Sequence, residues 1–220
     1  MPSSILSHQA PALIIKIKYP KKFDGTALCI STIIPDIDLI LRLFIPINLN
    51  GIILRGITHS LLGLVLITMP LTVILTIVFC SYLGPFFANL AKKNNIFIKP
   101  LKFFGIDEWD SLNKKKYNRK FFIVASYSAL IGGFTHLLLD LPAHGTIELF
   151  FPLILQSPDF LLCSIVDFGP IFIGEIQIER NLTVFRLIWI SETIIFGVIS
   201  LYLLRYIKKH ELISKWYEKI

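Results

Sequence analysis

The sequence predicts an all-α, polytopic helical membrane protein with about four transmembrane helices, the first of them broken. Three observations carry that expectation. The 220 residues are 54% hydrophobic and only 17% charged, with a mean hydropathy of +0.69, too apolar for a soluble domain of this size. Apolar runs of about twenty residues, the length a helix needs to cross a bilayer, recur along the chain. The segments between them alternate between a basic and an acidic balance, as the positive-inside rule expects of loops on opposite faces. One integral membrane domain, 1–220, follows.

Taken in order, residues 1–25 alternate short apolar pieces with Lys16, Lys18, Lys21 and Lys22, a pattern that suits an interfacial helix or strand better than a span. No basic region precedes a long apolar core there, so no cleavable signal peptide is expected. The first span, Thr26 to Ile47, contains Pro35, Asp36, Asp38 and Arg42, and should break near Pro35. A broken helix inside a bilayer is tolerated where its freed backbone groups face protein or a wet cavity, which turns the two carboxylates inward. Asn50-Gly51 supplies a turn ahead of Arg55 and His59. The second span, 60–82, carries no charge, and Pro70 should kink it. A strongly basic stretch, 91–120, reads as a cytoplasmic loop. The third span, 121–141, has Gly132 and Gly133, which allow close helix approach. An acidic outer loop, 142–186, and a fourth span, 187–207, follow, and the lysines after it keep the C-terminus inside. Both termini are then cytoplasmic in a cell (inner) membrane.

Polar residues in these apolar runs carry the chemistry. His136 and Asp140 stand four apart, on one helical face with Cβ atoms about 5–6 Å apart, so that an imidazole and a carboxylate can hold one cation. His144 and Glu148 continue the spacing, but Pro142 should end the helix before them. His and Asp are costly in hydrocarbon and need partners or a task. His136 with Asp140 is open between a metal site and a polar staple, and Asp36 with Asp38 between a site and a span end. Arg55 is open between a phosphate clamp and a snorkelling side chain. His144 and His210 read as surface residues, and Glu192 as an interhelical hydrogen-bonding group. Cys29, Cys80 and Cys163, odd in number and widely spaced, give neither a disulfide framework nor a thiolate zinc site. The net charge of +7 sits in a loop of membrane type, so no nucleic-acid partner is expected.

The early His8, PDID (35–38), RGITHS (55–60) and THLLLD (135–140) followed by FP (151–152) resemble the motifs of the membrane-bound metal-dependent hydrolases, also labelled LexA-binding inner-membrane hydrolases. The Met-Pro opening, Ser7-His8 and HSLLG (59–63) are also similar to a sister family of uncharacterised membrane proteins. The order His, Asp, His, HxxxD is similar to that of zinc-dependent phospholipase C and single-strand nucleases. This resemblance implies His8, Asp36, His59, His136 and Asp140 as metal ligands. Leu39 and Leu54 stand where family members often have His, and Ala143-His144 replaces Thr-Pro, which speaks against a full three-metal cluster.

The expected function is metal-dependent hydrolysis of a phosphate ester or phosphodiester, in a lipid or another substrate, with the site toward the outer half of the bilayer. A divalent metal is the cofactor, zinc first and manganese or iron next. Asp36 or Asp38 would orient or deprotonate a water and Arg55 would steady developing charge. A non-catalytic membrane scaffold or regulator and an ion or metal conduit are the alternatives.

Overall fold

Asp24, Ser60 and Asn118 each sit in extended backbone just ahead of a helix, and each side chain accepts the backbone N–H three residues on, at 2.9–3.0 Å. These caps satisfy donors that the first helical turn leaves orphaned. The computed structural model describes residues 5–37, 57–93, 96–143, 146–173, 176–178 and 180–217, and it is mostly helical. Its helices are α1 (Gln9–Lys18), α2 (Gly25–Ser31), α3 (Leu61–Ala91), α4 (Lys99–Phe103), α5 (Arg119–Asp140), α6 (Asp159–Leu162), α7 (Val184–Lys209) and α8 (Leu212–Tyr217).

Three of these, α3, α5 and α7, are long and apolar enough to cross a membrane. They answer to the spans expected at 60–82, 121–141 and 187–207. The share of the apolar window that is buried is 39% in α5, 28% in α3 and 6% in α7, so α5 is the innermost of the three and α7 turns most of its apolar surface outward. Where the first span was expected, the described part is the short α2 followed by a 3-10 turn, Ile34–Asp36, with Pro35 inside it. The stretch 38–56, with Asp38, Arg42 and Arg55, lies outside the described residues, as does His144.

Pro70, expected to kink α3, follows a π-helical turn at Leu64–Thr68, and Pro85 follows a second at Phe79–Leu83. Such turns absorb the hydrogen bond that a proline cannot donate. The loop expected at 91–120 contains α4 and a 3-10 helix, Ile106–Lys114, which packs on the C-terminal part of α3 and on α8.

The amino-terminal segment, expected as an interfacial helix or strand, forms the helix α1, which packs against α2 and α7 and buries Ala10, Ala12, Leu13 and Lys16. One expectation is corrected. The outer loop, expected within an all-α fold, forms three antiparallel strand pairs: β1 (Thr146–Phe150) with β2 (Leu153–Gln156), β3 (Ser164–Asp167) with β6 (Asn181–Thr183), and β4 (Ile171–Ile173) with β5 (Ile176–Ile178). Ile171, Ile173, Ile176 and Ile178 alternate with other residues, and that period of two with β-branched side chains suits a strand.

Candidate metal centre

The α5 helix approaches α2 at Gly132 and α3 at Gly133, about two turns before its C-terminal end. A Cβ at Gly132 would lie 2.5 Å from the carbonyl oxygen of Leu28 and 2.1 Å from Ser31 Oγ, so only glycine allows this approach. One turn further along α5, His136 Nδ1 meets the carbonyl oxygen of Thr32 at 2.7 Å. A carbonyl only accepts, so the proton sits on Nδ1 and the Nε2 lone pair points into the interior. Nε2 faces oxygens: Asp140 Oδ2 at 3.3 Å and Asp36 Oδ1 at 4.0 Å. In the neutral ring its lone pair meets carboxylates, an arrangement that a proton or a metal cation between them relieves.

The 3-10 turn supplies Asp36, and the residues just before α3 supply His59. His59 Nε2 is 3.3 Å from Asp36 Oδ1 and 3.5 Å from Asp140 Oδ2, and its Nδ1 is 3.2 Å from the Thr58 hydroxyl. Ligand atoms of Asp36, His59, His136 and Asp140 all lie within 4.8 Å of one another, and all four side chains are buried. A tetrahedral site with bonds of about 2.0–2.1 Å has ligand-to-ligand edges of about 3.3–3.4 Å. The four N-to-O separations here, 3.3, 3.3, 3.5 and 4.0 Å, approach that spacing. Two imidazoles and two carboxylates suit zinc, manganese or iron and leave the metal's identity open. Burial opposes a charged His59, but its hydrogen bonds to Asp140 and Asp36 outweigh that and raise its pKa to about 9. The pocket therefore attracts positive charge.

His8, just before α1, is buried, with Nε2 3.3 Å from the other oxygen of Asp140 and its ring centroid 4.2 Å from that of His136. Asp140 is thus shared by three imidazoles. Of the residues expected at the site, the structure brings together His8, Asp36, His59, His136 and Asp140. Two participants had no signal in the sequence. The Thr32 carbonyl is a backbone atom that any residue type provides. Glu192 on α7, read as an interhelical hydrogen-bonding group, lies within electrostatic reach of His8 and Asp140, and its Oε1 is buried without a hydrogen bond among the described residues.

Neither the curated proteins nor the solved structures contain a match to this chain. One protein family, described as a domain of unknown function, DUF4184, matches residues 1–152. That stretch carries every ligand candidate named above except Glu192. Since it takes in more than half of the chain, the protein belongs to the DUF4184 family.

Proposed function

We propose that this protein is a membrane-embedded metal-dependent hydrolase acting on a phosphate ester or phosphodiester, with a lipid as the natural substrate class for a site at the membrane. The observation that carries the reading is the convergence of Asp36, His59, His136 and Asp140, whose ligand atoms lie within 4.8 Å of one another, together with the His136 Nδ1 contact to the Thr32 carbonyl. Those four residues would hold the ion, zinc by preference, and His8 would orient Asp140 through its outer oxygen. The ion would supply Lewis acidity and a lowered pKa for water. Asp36 or Asp38 would orient or deprotonate a water, and Arg55 would steady the charge that develops on the phosphoryl oxygens. Elemental analysis of detergent-purified protein is expected to find near-stoichiometric zinc, manganese or iron, and the loaded protein to cleave a phosphodiester. Metal-free protein that cannot be loaded with any of the three would refute the reading.

The topology proposed is four spans, the first of them broken, in the inner membrane with both termini cytoplasmic and the metal centre toward the outer half. It follows from the charge asymmetry of the loops. Single cysteines at Asn113 and at the C-terminus should resist a membrane-impermeant reagent in intact cells, and one at Asp159 should react. Reaction at Asn113 would overturn both the four-span arrangement and the outward-facing site.

One observation favours a second reading, an ion or metal conduit. Thr68, Thr72 and Thr76 recur every fourth residue along α3, fully buried, with hydroxyls that make no hydrogen bond among the described residues. Such a row suits either close helix packing or a polar path. Zinc uptake into proteoliposomes decides between them. The hydrolase reading expects uptake no faster than in protein-free vesicles, whereas a flux that Thr72→Val abolishes would move the assignment to the conduit.

A further inference from the structure

At the opposite end of α5 the protein is built for an anion. Lys120 and Asp140 are separated by twenty residues of one helix, about 30 Å at 1.5 Å per residue, close to the thickness of a bilayer's hydrocarbon core. A cavity of about 560 Å³ opens beside the N-terminus of α5, lined by Lys16, Lys21, Lys115, Lys116, Lys120 and Lys215. Asp24 is the one carboxylate among its described lining residues. Lys21, Lys116, Lys120 and Lys215 are exposed, whereas Lys16 and Lys115 are buried at its base.

The charges at that base do not balance. Asp24 is committed to Lys115, whose Nζ lies 2.9 Å from Oδ2 and 3.1 Å from Oδ1, and it also caps α2. Among the described residues Lys16 Nζ is held by neutral groups: the carbonyls of Pro20 at 2.7 Å and Phe23 at 2.8 Å, and the face of the Trp216 ring at 4.9 Å. A buried ammonium without an anionic partner is expensive. Burial accordingly lowers its pKa to about 8, with Asp24 opposing that shift and Lys115 adding to it.

A second cavity, of about 350 Å³, adjoins the first. It shares Lys16, Trp216 and Tyr217 with it and is otherwise walled largely by apolar side chains such as Leu13, Ile30 and Ile207. We propose that the basic cavity binds the phosphate headgroup of an anionic membrane phospholipid, one acyl chain of which enters the adjoining apolar cavity. Charge complementarity selects the headgroup, and the shared Lys16, Trp216 and Tyr217 place polar and apolar parts of one molecule in register. Tryptophan and tyrosine beside lysines are also the composition found at the membrane–water boundary. A free phosphate would use the first cavity and leave the second without a role.

Native mass spectrometry of the full-length protein in detergent tests this. Phosphatidylglycerol should be retained at least about tenfold more tightly than phosphatidylcholine, because each lysine near a headgroup contributes about 1 kcal/mol. Lys16→Met, which keeps the aliphatic stem, should weaken phosphatidylglycerol retention by about fivefold, and the rim pair Lys116→Gln with Lys120→Gln by about thirtyfold. The rim pair is exposed, where substitutions change stability little, so the test stands even if Lys16→Met fails to fold. Inorganic phosphate at equal concentration should not displace the lipid. Equal retention of the two lipids, or retention unchanged in the rim pair, would overturn the proposal. Displacement of the lipid by inorganic phosphate would assign the cavity to the free anion instead.

Discussion

Asp140→Asn is expected to leave the protein folded in detergent while lowering its metal content, and any phosphodiesterase activity, by at least about tenfold. Asparagine keeps the size of aspartate and can still accept and donate hydrogen bonds, so a polar staple between helices survives the change. The anion does not survive it. Asp140 is the carboxylate that faces His8, His59 and His136 together, at 3.3, 3.5 and 3.3 Å, and removing its charge takes a ligand from the ion and the shared partner from three imidazoles. His136→Gln should act the same way, because an amide oxygen is a poorer ligand than an imidazole nitrogen for zinc and its neighbours. The double substitution should be little worse than either single one, since both residues serve one ion. Metal content is read by elemental analysis and folding by thermal unfolding in the same detergent. Full metal retention in Asp140→Asn would reduce HLLLD (136–140) to a packing motif and end the hydrolase reading.

Gly132→Val should destabilise the protein by about 1–3 kcal/mol or more, the range for forcing extra atoms into a filled interior. The first added carbon already falls 2.5 Å from a backbone oxygen of α2. Ser31 can turn its hydroxyl away, but the Leu28 carbonyl belongs to a helical backbone and moves only with the helix. Because the same contact sets His136 against Thr32, pushing α5 from α2 should also lower metal content. Gly197→Ala on α7 is the control, since nothing lies within 4 Å of its added carbon, and its melting temperature should stay within the range of a neutral surface change. A Gly132→Val protein that melts with the wild type would mean that α2 and α5 are not in this contact.

How much of this was legible beforehand depends on whether a feature is local. Long apolar runs are local, so the sequence alone placed α5 and α7 within a few residues of where the structure has them, and the start of α3, which runs nine residues past the expected 82. Caps at Ser60 and Asn118 mark two of their starts, and Pro142 follows the end of α5. The i to i+4 pairing of His136 with Asp140 is local too, being a property of one helix. The strand pairs between α5 and α7 were missed because Phe-, Leu- and Ile-rich stretches as short as these read equally well as interfacial segments.

The centre itself is not local. Asp36 and His59 are 23 residues apart, and His8 stands far before both. Which of them meet depends on how α1, α2 and α3 are rotated about their axes, and that rotation is set by tertiary packing such as the contact at Gly132. Composition determined that His and Asp in apolar surroundings needed partners. Only the tertiary structure decided that those partners are one another, with a backbone carbonyl at Thr32 fixing the tautomer and Glu192 standing nearby, because a side chain's residue type says what it can bind and only the packing of its helix says where it points.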